Sequence, residues 1–215
     1  MAESTGGMGL VQRLVLRKFY AKAGGAPERL PWYRAEPEAN LVAALEGRER
    51  PGRALDVGCG AGNFCVHLAR RGWDVTGIDL LPQAVEMARA LSAKEGVRFE
   101  VLETDILTYA PERPFDLVYD SGCLHCMHAS GFAAYVRQLP RWLAPGGDYL
   151  LGHFGKRHAL DWRPVGPRRR TPETIERALA PEFVLVRKET SEMRVPLPIG
   201  PVVRGSSYWF RRRAT

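Results

Sequence analysis

Asp56-Val57-Gly58-Cys59-Gly60-Ala61-Gly62-Asn63 places three glycines at alternate positions directly after a short β-prone run. Glycines there let the backbone approach a ligand that a Cβ would push away, and the helix expected over 63–71 begins with unpaired N–H groups. Such a turn suits a nucleotide-type cofactor. A second strand, 74–78, ends in Asp79, about twenty residues after the first glycine, where a carboxylate accepts both hydroxyls of an unphosphorylated ribose. A third strand, 97–102, leads into Thr104-Asp105-Ile106, which offers a polar and an apolar group at a strand's carboxyl end, where open α/β sheets bind ligands. The fourth, 115–119, runs into Asp120-Ser121-Gly122-Cys123-Leu124-His125-Cys126-Met127-His128, the most unusual stretch of the chain.

Two thiols and two imidazoles in that last stretch invite a zinc reading. Zinc sites normally draw their ligand pairs from separate segments, and four ligands within six residues would be severely strained, so no metal is expected. Nor do Cys59, Cys65, Cys123 and Cys126 form the spacing of a small secreted disulfide scaffold. The stretch reads as an active-site loop.

Taken together, Asp56-x-Gly58-x-Gly60-x-Gly62, Asp79 and Asp105-Ile106 resemble the class I S-adenosylmethionine-dependent methyltransferases. Leu143-x-Pro145-Gly146-Gly147 before an apolar strand, and two final strands expected at 183–188 and 206–211, match the same pattern. The resemblance implies a Rossmann-like α/β fold: a seven-stranded, mostly parallel sheet ending in an antiparallel pair, with helices on both faces. It implies S-adenosyl-L-methionine as cofactor, with Asp56, Gly58, Cys59, Gly60 and Asn63 around the methionine part. Asp79 would hold the ribose, Leu80 would pack on the adenine, and Asp105 and Ile106 would bind it.

Two further segments resemble the small-molecule thiopurine, thiol, halide and tellurite methyltransferases. One is Pro31-Trp32 with Pro37 following, the other Asp120-Ser121-Gly122-x-x-His125; Gly166-Pro167-Arg168-Arg169 recurs in the same group. That likeness implies Trp32 near the cofactor and Asp120 and Ser121 beside its methyl group. Tyr33, His125, His128, Phe154, Arg168 and Arg169 would shape the acceptor pocket. Methyl transfer is an in-line displacement, so alignment and exclusion of water are the main tasks. A hydroxyl or protonated amine acceptor would need a base, for which His125 has a suitable ordinary pKa, with His128 as substitute and Asp120 as a further catalytic group. A thiol loses its proton more readily, and His125 would then bind only, or be held by backbone groups at a helix start. The expected reaction is methyl transfer to a small molecule, a thiol-like acceptor being favoured, with O- or N-methylation through His125 as the alternative. An NAD-dependent oxidoreductase shares the glycine turn and ribose acid but leaves Asp105-Ile106 and Pro145-Gly146-Gly147 unexplained.

The 215 residues suit a single methyltransferase domain, 1–215, with an N-terminal helical cap segment, 1–48, and a cofactor-binding core, 49–215. Residues 1–9 lack the apolar run of a secretory signal and no later stretch is long enough to span a bilayer, so a cytoplasmic protein without membrane partners is expected. The net charge of +7 and the clusters Arg168-Arg169-Arg170 and Arg211-Arg212-Arg213 would suit RNA, but no aromatic residues alternate with them as stacking platforms. A basic rim for an anionic small substrate is the preferred reading over nucleic acid.

At the start of the chain, Leu10, Val11, Leu14, Val15 and Phe19 recur at helical spacing with Arg13, Arg17 and Lys18 between them. The pattern predicts a helix that packs this apolar side on the domain, a membrane-surface helix being the lesser option. A proline-bounded loop and a helix over 38–45 follow, then helices over 81–94 and 131–143, a turn at 144–147, a strand over 148–154 and a helix capped by Thr171 with Pro172 at its first position.

Overall fold

Strand β1 (Arg53–Val57) sits inside the sheet, with strands on both sides, and presents apolar residues toward both faces. Leu55 and Val57 point into one core with Tyr135, Trp142 and Tyr149, while Ala54 joins Leu41, Leu68 and Val85 in the other. Burial on both sides is what a parallel strand requires. The computed structural model describes residues 8–155, 170–194 and 202–214. Its seven strands run in the order β3-β2-β1-β4-β5-β7-β6, with β2 (Asp74–Asp79), β3 (Glu100–Glu103), β4 (Phe115–Ser121) and β5 (Leu143–Gly155) parallel to β1. Antiparallel to β5, β7 (Val202–Arg212) is followed at the edge by β6 (Phe183–Arg194). This is the expected Rossmann-like sheet, and every parallel strand ends on the same side.

Among the described residues, helices α1 (Leu10–Ala23), α2 (Ala39–Glu46), α3 (Asn63–Ala69), α4 (Pro82–Glu95), α5 (Ala129–Trp142) and α6 (Pro172–Leu179) and two single 3-10 turns, Pro27–Arg29 and Leu124–Cys126, account for the remaining regular elements. Pro82 occupies the first turn of α4, where no N–H is needed, and Gly96 ends it in the left-handed conformation at φ 63°. Thr171 caps α6 as its spacing predicts, its hydroxyl accepting from the Thr174 N–H at 3.3 Å.

The boundaries differ from the sequence reading chiefly in four places. β3 begins at Glu100 rather than 97. α5 begins earlier, because the His128 ring nitrogen accepts from the Gly131 N–H at 3.3 Å and caps the helix. The Pro145-Gly146-Gly147 turn lies within β5: Leu143 pairs with Phe115 and Asp148 with Leu117, so the turn bulges out of a strand that resumes its ladder. The last two strands are longer than expected and pair out to Arg194 and Val202.

The largest departure is α1. Tyr20 and Ala23 are buried and, with Leu16, pack against Leu30, Ala61, Leu81, Ala84 and Met87. Leu10, Val11, Leu14, Val15 and Phe19, the side expected to face the domain, are exposed instead. A helix of 3.6 residues per turn sets these two groups on opposite sides, and the inward positions go to the smaller set that fits over α4.

Asp148, only 1% exposed, joins the two ends of the fold. Its carboxylate accepts from Arg48 Nη2 at 2.7 Å, Trp209 Nε1 at 2.8 Å and Arg211 Nε at 2.9 Å. Asn40 of α2 donates to Ser207 of β7 at 3.1 Å, which adds a second tie between the same elements.

Candidate active site

Gly58, Gly60 and Gly62 have φ of 65°, 56° and 83°, the left-handed region that side chains other than glycine rarely enter. Cβ atoms there would meet Cys123 Cβ at 2.9 Å, the Tyr20 hydroxyl at 3.0 Å and Ala88 Cβ at 2.9 Å respectively. The Cys59 N–H donates to the Ile78 carbonyl at 3.0 Å and fixes the turn over the end of β2. This open backbone cradle is what a bound nucleoside cofactor needs, so the described residues fit the cofactor that the turn implies.

Asp79 belongs to the same unit. One carboxylate oxygen accepts from the Gly60 N–H at 3.0 Å and the other from the Leu81 N–H at 2.9 Å, with the half-buried Leu80 between. Burial raises its pKa against the pull of those N–H donors. At the next strand end Asp105 accepts from the Leu107 N–H at 2.9 Å, while Ile106 is buried in the core. The Thr104 N–H donates to the Asp79 carbonyl at 3.0 Å and ties these two strand ends together.

Asp56 and Asp120 are both buried behind the cradle. Asp56 receives the Cys65 thiol at 3.3 Å, and burial first, then Asp120 and Asp79, push its pKa up to about 7. Asp120 faces its own loop: it accepts from the Gly122, Cys123 and Leu124 N–H groups at 3.0, 2.6 and 3.1 Å and from the Tyr135 hydroxyl at 2.8 Å. Burial raises it to about 7, although each of those donors favours the ionised form. Ser121, next to it, is exposed.

The loop that Asp120 holds presents His125. Its ring stacks on Phe154 with centroids 5.0 Å apart and lies 5.8 Å from the ring of His153. Gly122, at φ 109°, is required beneath it, since a Cβ would lie 2.8 Å from His125 Cε1. His153 is buried, and burial, His125 and Arg170 hold its pKa well below the usual range, so it is neutral. Arg170 lies over the Phe132 ring at 4.3 Å and donates to the Leu124 and Met127 carbonyls at 3.3 and 2.9 Å. One arginine of the sequence's basic clusters therefore braces the loop, and Arg211 is engaged by Asp148. Arg168 and Arg169 lie outside the described residues.

Trp32 meets Phe19 and Tyr20 edge-on at centroid distances of 5.6 and 5.7 Å, and Tyr33 beside it is exposed. Asn63 Nδ2 reaches the Arg34 carbonyl at 3.5 Å and links this entry segment to the glycine turn. His128 stands apart as the cap of α5. Sequence reasoning missed Tyr20, whose phenol pKa burial, Asp79 and Cys59 raise, and it marked His153 and Arg170 only as the ends of a basic segment, not as partners. Tyr20 was detectable as the inward partner of Leu16 at four-residue spacing; His153 and Arg170 meet through a strand pairing with no local signature. All four cysteines are free, and among the described residues no three His, Cys, Asp or Glu side chains are grouped to hold a metal.

Residues 54–147 match the family of methyltransferase domains. The 2-heptyl-1-hydroxyquinolin-4(1H)-one methyltransferase of Mycobacteroides abscessus is 31% identical over 140 residues, which cover 62% of this chain and 61% of that protein. The chain spans about half to three-fifths of the length of the curated relatives it matches first. A solved structure concerned with conversion of a disulfide bond into a thioacetal group during echinomycin biosynthesis superposes with a TM-score of 0.71 at 28% identity, covering 94% of this chain and 93% of the other. The N-methyltransferase NodS of Bradyrhizobium japonicum WM9, solved with S-adenosyl-L-homocysteine, shares the fold at a TM-score of 0.72 and 22% identity over 93% and 97% of the two chains. None of these favours the NAD-dependent oxidoreductase alternative. The glycine cradle, Asp79 and the terminal antiparallel pair thus stand in a chain whose residues 54–147 match a methyltransferase domain and whose fold is shared with NodS.

Proposed function

We propose that this chain, as a single domain with residues 1–48 as cap, transfers the methyl group of S-adenosylmethionine to a small-molecule acceptor with a soft attacking atom, such as a thiol sulfur. The observation that carries this reading is the 28% identity, over nearly the whole of both chains, to the protein concerned with disulfide-to-thioacetal conversion, a chemistry of sulfur. The small-molecule acceptor, rather than nucleic acid, and a cytoplasmic setting belong to the same reading.

When bound, the cofactor supplies an electrophilic methyl carbon on a sulfonium; the acceptor's lone pair forms the new bond as the carbon–sulfonium bond breaks, leaving neutral sulfide. The chain's own part is placement. Gly58, Cys59 and Gly60 offer backbone against the methionine part, with Asp56 behind them and Asn63 tying in the entry segment. Asp79 takes the ribose hydroxyls, Leu80 and Ile106 flank the adenine and Asp105 accepts from it. Asp120 acts as a positioning residue that sets the loop carrying Ser121 and His125, since its oxygens are occupied by that loop and Tyr135. Trp32, Tyr33, His125 and Phe154 would line the acceptor's approach, with His125 a binding surface for a thiolate.

The M. abscessus relative, named for a hydroxyquinolinone acceptor, favours a second reading in which a hydroxyl is methylated and His125 removes its proton. A screen over thiols, phenols and amines with His125→Ala beside the parent separates the two. For thiol methylation, turnover should follow the thiol's own pKa and fall less than about fivefold in the variant; loss of a general base costs about 10²–10⁴-fold. Turnover of phenols or amines alone, lost in His125→Ala, refutes the sulfur reading.

A further inference from the structure

The outward side of α1 carries Leu10, Val11 and Leu14, which are 65%, 76% and 49% exposed, together with Val15 and Phe19. Trp32, 42% exposed, continues the patch, because its ring lies edge-on to Phe19. An apolar strip of this kind on a surface helix whose other side is already buried needs an occupant. Arg17, Lys18 and Lys22 are exposed on the same helix, which has no acidic residue. Across residues 8–29 there are five arginines and lysines (Arg13, Arg17, Lys18, Lys22, Arg29) against one acid, Glu28.

Charge decides between occupants. A second copy of this chain docked through the same strip would bring two sets of helix cations together with no acid on either helix to offset them. A membrane surface containing anionic lipid supplies both halves of what the strip lacks. Apolar side chains enter the headgroup boundary, the arginine and lysine stems lie along it with their charges at the phosphates, and the aromatic rings of Trp32 and Tyr33 sit at the level such rings prefer. We infer that α1 docks this protein reversibly on anionic membrane surfaces, helix axis in the plane, beside the entry to the active site. No helix among the described residues is long and apolar enough to cross a membrane, so the contact is peripheral. It brings an acceptor dissolved in or near the lipid to the edge of the site.

The test is flotation of the full chain with vesicles of phosphatidylcholine alone and of phosphatidylcholine with about one-third phosphatidylglycerol. The expected result is binding to the anionic vesicles, weakened by salt, with a blue shift of tryptophan emission. Lys18→Glu/Lys22→Glu should reduce the partition coefficient by about fivefold or more per cation removed, and Leu14→Asp by at least about tenfold. Both variants should bind S-adenosylhomocysteine as the parent does, since these side chains are exposed and outside the site. Absence of binding by the parent, or binding that Leu14→Asp leaves unchanged, overturns the inference. A dimer in sedimentation analysis that Leu14→Asp dissolves, without vesicle binding, overturns it as well and gives the strip to a second copy.

Discussion

Lowering the pH from 8 to 6 should weaken S-adenosylmethionine binding by about tenfold more than it weakens S-adenosylhomocysteine binding. The perturbed group is Asp56, 2% exposed, with the weak Cys65 thiol donor on its carboxylate and a pKa pushed up to about 7 by burial, Asp120 and Asp79. A sulfonium in the cradle favours the ionised carboxylate, whereas the neutral sulfide does not. If the cofactor's charge returns Asp56 toward its ordinary value, the apparent dissociation constant scales as one plus ten to the power (7 − pH), a ratio of about ten between pH 8 and pH 6. Both ligands carry the same amino acid group, so the difference between them isolates the sulfonium. Calorimetry at pH 6.5 in two buffers of different ionisation enthalpy counts the protons: Asp56 is then about three-quarters protonated, and S-adenosylmethionine should release up to about that many more than the product. Asp56→Asn should flatten the difference. Equal proton release by the two ligands, or an undiminished pH slope in Asp56→Asn, refutes the reasoning.

The same carboxylate sets a stability prediction of opposite benefit. Its folded pKa lies above the unfolded value of 3.8, so the unliganded fold holds the extra proton between about pH 4 and 7 and loses stability as pH rises through that window. Unliganded Asp56→Asn should therefore be more stable than the parent at pH 8, by about 2 kcal/mol in chemical denaturation. Gly60→Ala meets the hydroxyl of Tyr20 at 3.0 Å and should lose more than about tenfold in S-adenosylhomocysteine affinity for a loss of about 1–2 kcal/mol in stability. Gly62→Ala drives a Cβ against Ala88 Cβ at 2.9 Å and its Cα at 3.2 Å, and should cost about 3 kcal/mol or more, read as a fall in thermal midpoint. Asp148→Asn replaces an acceptor of three donors and should cost about 2–3 kcal/mol in urea unfolding.

The geometry of the glycine turn and of Asp79 was legible because its demands are local. Alternating glycines encode left-handed backbone at Gly58, Gly60 and Gly62, and Asp79 follows one strand–helix–strand unit later, a spacing set by the chain's own geometry. The loop after β4 was less so. Asp120 was visible as a carboxylate at a strand end, but that its oxygens turn back to cap the following loop depends on Tyr135, fifteen residues away on α5. His153 and Arg170 meet through the end of β5 and the start of α6, a long-range pairing that no local spacing announces. α1 shows the limit of periodicity most plainly. Both of its sides are apolar, and a repeat of 3.6 residues tells which side chains share a face without telling which face meets the protein.

The carboxylate of Asp148 reaches Arg48, just after α2, and Trp209 and Arg211 of the last strand, so one atom cluster closes the chain into a ring. Opening either terminus leaves the same buried acid without part of its shell, and fraying at one end lowers the barrier to fraying at the other. Amides of α2 and β7 should then exchange with solvent as one cooperative unit, separate from the glycine cradle, despite lying more than a hundred residues apart. The frame that carries the entry segment is thus held in register by β7, and a growing chain completes its cap only after β7 is made.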